Sequence, residues 1–194
     1  MSHPVKTRPS REEAEAAVRT LLAYVGDDPD REGLIDTPKR FVKAYDDWFA
    51  GYDQDPEAVL STTFEEVEGY DDLVLLRDIK IESHCEHHVA PILGTAHVAY
   101  LPDKRVVGLS KLARLVDVYA KRLQSQEILN EQIARTLDRV LKPRGVAVII
   151  DAQHQCISTR GTHKDDVSCV TRTFLGAFKD DPRLEERFFR LIGR

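Results

Sequence analysis

The order of elements downstream of residue 73 constrains this chain more than any other feature. Residues 73–81 and 94–101 are short runs rich in apolar and β-branched side chains, and both read as strands. Two amphipathic helices follow. Ser110 is expected to cap the first, with Leu112, Leu115, Val116, Tyr119 and Leu123 on one face. Ser125 opens the second, which carries Leu129, Ile133, Leu137, Val140 and Leu141 and is stopped by Pro143 and Gly145. Residues 146–150 and 167–178 read as two more strands, and a short helix over 182–192 ends the chain. A ββααββ order packs as a four-stranded, mostly antiparallel sheet with two helices on one face, an α+β fold. The sheet's other face and its edges then need cover, and association of subunits is one solution.

Upstream, the pattern is helical. Ser10 and Glu13 form a capping box, and Ala14, Ala17, Val18, Leu21, Leu22 and Val25 recur at helical spacing before Gly26. Thr37 reads as the N-cap of a second helix with Pro38 at its first helical position, Phe41, Val42, Tyr45, Trp48 and Phe49 on its apolar stripe and Gly51 closing it. The expected organisation is an N-terminal helical segment over 1–70 and a sheet-bearing domain over 71–194. A chain of 194 residues buries enough surface to fold without a disulfide or a metal. No apolar run approaches the roughly 20 residues that span a bilayer, and the first ten residues hold no apolar stretch. A cytoplasmic protein with no membrane partner is expected. The net charge of −5 disfavours a nucleic-acid partner.

Chemistry concentrates in two places. Ser83-His84-Cys85-Glu86-His87-His88 places three of the seven histidines beside one of the three cysteines, in an expected loop after the first strand. His154-Gln155-Cys156 follows the third strand. If the first and third strands run the same way, both clusters lie at one end of the sheet. Thiolate and imidazole are preferred zinc ligands, and the C-x-x-H spacing of Cys85 and His88 lets one turn present two of them. Two cysteines and one histidine make three ligands, as in catalytic zinc sites that keep a position for water, whereas structural sites usually have four. His84, His87 and His154 are then candidates for proton transfer. Ordinary loop histidines and core cysteines are the bland alternative. Cys169 reads as a small buried hydrophobe within the fourth strand, and His97 as a structural histidine within the second.

Cations gather near helix starts. Ser110-Lys111 opens one helix with Arg114 on the same face, Arg40 and Lys43 share a face of another, and Arg160 follows the second cluster. Singly these read as solvated charges; beside a metal site they suggest a polyphosphate. Gln126-Glu127 could read a base edge, although a glutamate there also complements the helix dipole.

Cys85-Glu86-His87-His88, Gly108-Leu109-Ser110-Lys111-Leu112-Ala113-Arg114, Gln126-Glu127 and His154-x-Cys156-x-x-x-Arg160-Gly161 occur in this order, with Thr37-Pro38-x-Arg40-x-x-Lys43 upstream. That ordered set resembles GTP cyclohydrolase I from about residue 10 to the C-terminus. The resemblance implies the tunnelling fold, a toroidal homodecamer with active sites at subunit boundaries, and conversion of GTP and water to formate and 7,8-dihydroneopterin triphosphate, the first step towards tetrahydrofolate and other pterins. It implies one zinc per subunit on Cys85, His88 and Cys156. His87 would protonate guanine N7, and His154 would assist later proton transfers. Gln126 and Glu127 would hold the guanine edge, while Ser110, Lys111, Arg114, Arg160, Arg40 and Lys43 would engage ribose and triphosphate. The chain departs from the common family pattern at His84, Ser125 and Gln155. Two rivals remain: another enzyme on the same fold, and a zinc-stapled interaction module with His84 or His154 as a fourth ligand.

Overall fold

A computed structural model describes residues 7–64, 70 and 72–193. The ragged start over 1–6 lies outside them. The chain divides into two compact units, one ending at Phe49 and the other beginning at Ala50.

The first unit holds two helices, α1 (Arg11–Tyr24) and α2 (Thr37–Trp48). Both halves of the α1 capping box form: the Ser10 hydroxyl accepts from the Glu13 amide, and the Glu13 carboxylate accepts from the Ser10 amide at 2.7 Å. The α2 cap is Asp36 rather than Thr37, and its side chain makes no capping bond. Thr37 is already helical, because proline favours the first turn without needing a side-chain acceptor before it. Phe41, Tyr45 and Phe49 stack along α2, with ring centroids 4.5 and 4.9 Å apart.

The second unit starts with a 3₁₀ turn at Ala50–Asp53, then α3 (Pro56–Val59) and β1 (Thr63–Phe64). Gly51 packs so closely on the helix ahead of it that a Cβ would lie 2.1 Å from the Val118 carbonyl, which explains glycine there. Next come β2 (Val74–Cys85), β3 (Pro91–Leu101), β4 (Val106–Val107), α4 (Leu109–Ala120), β5 (Leu123–Gln124) and α5 (Gln126–Leu141). The chain ends with β6 (Gly145–His154), α6 (Gln155–Ser158), β7 (Cys169–Gly176), α7 (Ala177–Asp180) and α8 (Pro182–Leu191). The fold is mixed α+β. The main sheet has the order β5-β2-β3-β6-β7; the four long strands are antiparallel, and β5 adds two residues in parallel beside the end of β2.

Two corrections concern caps and edges. Gly108 caps α4, so Ser110 is inside its first turn and makes no capping bond. The fifth strand is too short for a periodicity to announce it. The Ser125 cap is present, its hydroxyl accepting from the Ile128 amide at 3.3 Å.

Leu112, Leu115 and Val116 of α4 and Leu129, Ile133 and Leu137 of α5 pack on Ile81, Ala96, Val98, Val148 and Ile150. The opposite face carries Ala99, Ala147 and Ile149 and is covered in part by the chain's own C-terminus, through Phe178 and Phe188. Phe188 is fully buried, with ring centroids 5.7 Å from Phe174 and 5.9 Å from Phe178. Arg187 adds a paired contact to Asp72 at 2.7 and 2.5 Å. Phe188→Ala should therefore cost about 3–5 kcal/mol in a denaturant titration. A loss under about 1 kcal/mol would mean that α8 does not hold this face.

His97 is buried in the same sheet. Its Nδ1 accepts from the Asp78 amide at 3.2 Å, where β2 bulges and Asp78 takes a positive φ of 60°. The ring serves the backbone, as its place in a strand suggested.

Candidate functional site

β2 and β6 run the same way, each antiparallel to β3. His84 faces Pro91, and His154 faces Ile92. The two clusters thus meet at one end of the sheet. The first is less of a loop than expected: β2 continues through Ser83, His84 and Cys85, and only Glu86–His88 form the turn. That turn is closed by the Cys85 amide on the Ala90 carbonyl and the Val89 amide on the Cys85 carbonyl, both at 2.8 Å. Val89 sits at φ 54°, a costly conformation for a β-branched residue that the two closing bonds hold in place.

Cys85, His88 and Cys156 bring one ligand atom each to within 4.8 Å of one another. Both cysteines are buried and His88 is exposed. The Cys85 sulfur lies 3.8 Å from His88 Nδ1 and 3.9 Å from His87 Nδ1. Burial pushes the Cys156 thiol up, and the neighbouring Cys85 adds to the effect. Two packed thiols are costly to ionise without a cation, and a metal supplies one. The donor set therefore fits a tetrahedral, thiolate-accepting ion with one position open.

Around this point the chain sets several polar groups. Arg160 Nη1 donates to His88 Nε2 at 2.9 Å. His87 is exposed, with Nε2 3.7 Å from the Glu86 carboxylate. His154 Nε2 lies 2.8 Å from Gln126 Oε1. Burial pushes the His154 imidazole down, opposed by Glu127 nearby. His84 is buried on β2 and is lowered by the same cause. Neither His84 nor His154 joins the ligand group among the described residues. Cys169 is also outside it; it is half-buried at the first position of β7 rather than inside the strand.

Within the second unit, the cations at the start of α4 do not converge here. Val107 lies against Tyr100, whose hydroxyl accepts from its amide at 3.1 Å. Tyr100 and Ile92 are separated along β3 by about 27 Å at ~3.4 Å per residue. Ser110, Lys111 and Arg114, which follow Val107 at the start of α4, therefore begin at the opposite end of the sheet from the thiols. Arg40 and Lys43 are exposed on α2 of the first unit, and Arg40 pairs with Asp36 at 3.3 Å.

Gln126 departs most from expectation. It is 1% exposed, and its amide nitrogen donates to the Ile150 carbonyl at 3.1 Å, the Cys169 carbonyl at 2.9 Å and the Thr171 hydroxyl at 3.1 Å. Asn130, one turn later, donates to the Val148 carbonyl and the Thr173 hydroxyl. Sequence reasoning missed both threonines. Their signal was two threonines spaced by two, on one face of a strand, opposite an amide pair spaced by four on a helix.

The fold and the site define an α+β enzyme with a Cys₂His cluster able to hold a metal at one sheet end. The family model for GTP cyclohydrolase I matches residues 14–193, and the chain belongs to that family. It is 60% identical over 190 residues to GTP cyclohydrolase 1 of Maricaulis maris (strain MCS10), covering 98% of this chain and 93% of that one. It is 57% identical over 187 residues to the protein of the same name from Hyphomonas neptunium (strain ATCC 15444), covering 96% and 91%. A solved structure of the archaeosine synthase QueF-Like in the apo form is similar at a TM-score of 0.45 and 20% identity, over 54% of this chain and 94% of that one.

Proposed function

We propose that this enzyme hydrolyses GTP at guanine C8 and rearranges the product, giving formate and 7,8-dihydroneopterin triphosphate. The observation that carries the reading is the convergence of Cys85, His88 and Cys156 within 4.8 Å, with His87 beside them. Cys85, His88 and Cys156 would hold one zinc ion per subunit. When bound, zinc supplies a Lewis acid and an activated water at neutral pH.

The chain's own groups do the rest. His87 gives a proton to guanine N7, so that negative charge does not accumulate on the opening ring. His154 exchanges protons in ring opening and in the later rearrangement of the sugar. Glu127 accepts from the guanine edge. Arg160, already at the cluster, meets the triphosphate with Ser110, Lys111, Arg114, Arg40 and Lys43.

The distance between the start of α4 and the thiols favours a site completed by another copy. A tunnelling fold assembled as a cytoplasmic homodecamer, with sites at subunit boundaries, is the assembly we propose. Such a protein would serve the first step of pterin and tetrahydrofolate synthesis.

Incubation of the purified protein with GTP tests the reading. Formate and, after oxidation, a fluorescent pterin should both form, and both should be lost on adding a zinc chelator. Neither product from a zinc-loaded oligomer would overturn the assignment.

A further inference from the structure

An amide side chain can be placed in either of two orientations, but its neighbours here allow one. Carbonyl oxygens only accept. The Gln126 end that touches the Ile150 and Cys169 carbonyls must be the NH₂ end. Both of its hydrogens are committed there and to the Thr171 hydroxyl. The other end, Oε1, therefore faces His154 Nε2 at 2.8 Å, and an amide oxygen likewise only accepts. Nε2 must carry a hydrogen. This holds whether the ring is neutral or charged.

We infer that Gln126 is a positioning residue: the β6–β7 backbone fixes its amide, and the amide holds the His154 ring at the end of β6 as an Nε2–H donor. Such an arrangement resembles the buried acceptor that selects a tautomer in hydrolytic triads. The Gln126 amide hydrogens, already engaged by the two carbonyls and the Thr171 hydroxyl, are not available to a guanine edge. Asn130 braces the same junction one turn along, on the Val148 carbonyl and the Thr173 hydroxyl. The start of α5 is thereby pinned to the strand that ends in His154.

The first test needs no substrate. Protein labelled with ¹⁵N-histidine, sedimented and examined by solid-state NMR, should show the His154 ring protonated at Nε2, its signal identified by loss in His154→Ala. A neutral ring protonated at Nδ1 would overturn the inference, even if Gln126→Met does not fold. The second test rests on the GTP reading above. Gln126→Met should lower kcat by about 10²-fold and leave KM for GTP within about twofold. Gln126→Met combined with His154→Ala should be no slower than His154→Ala alone. A tenfold rise in KM with unchanged kcat, or losses that add in the double variant, would overturn it in favour of contact with the base. Wild-type protein that releases no formate would fail the GTP reading instead, and the tautomer measurement would still decide this one.

Discussion

Cys156→Ser should remove zinc binding and GTP turnover together. The substitution is nearly isosteric, so the fold should persist; the charge at the site is what changes. A thiolate binds zinc directly, whereas a serine hydroxyl is not ionised near neutral pH and is a poor ligand. Three protein donors become two, Cys85 and His88, and two donors do not retain an ion through gel filtration. Elemental analysis should give well under about a tenth of the zinc of the wild type, and formate release should fall by at least about 10³-fold. Cys169→Ser is the matching control. That thiol is half-buried and outside the ligand group, so zinc content should not change. Zinc retained by Cys156→Ser, or lost from Cys169→Ser, would mean that the ligand set is wrong. Unchanged far-UV circular dichroism in both variants separates these outcomes from misfolding.

Legibility in the sequence followed the range of the interaction. Local signals read well. The Ser10–Glu13 box and the Ser125 cap depend on residues within four positions, and both form. The caps at Thr37 and Ser110 failed because a hydroxyl near a helix start is permitted, not required, to cap; the turn already closes at Asp36 and Gly108. The two Cys/His clusters meet as expected because strand direction alternates regularly from β2 to β6. What could not be read is non-local. The aromatic run of α8 covers the free face of the sheet only once β3 and β6 lie side by side to receive Phe188. Gln126 looked like a recognition residue next to Glu127. Its commitment depends on carbonyls of Ile150 and Cys169, 24 and 43 residues away in sequence. The fourth-ligand alternative for His154 is weakened by a different observation: among the described residues it lies outside the converging ligand group. Buried polar groups must find partners, and the partner can come from anywhere in the chain.

His87→Ala separates an enzyme from a metal-stapled module. The side chain is 69% exposed, so its loss leaves no cavity and should change stability by less than about 0.5 kcal/mol. It lies 3.9 Å from the Cys85 sulfur but is not one of the three converging ligands, so zinc content should match the wild type. Formate release should nevertheless fall by about 10²–10⁴-fold, the range expected when a positioned proton donor is removed, with KM for GTP nearly unchanged. A structural zinc centre has no use for a proton donor beside it and would tolerate the change. Exposure also makes the variant amenable to rescue: free imidazole can reach the vacated position, and added imidazole should restore part of the rate. Turnover retained without imidazole would rule out His87 as the donor. Loss of zinc together with turnover would make His87 part of the metal site rather than the acid beside it.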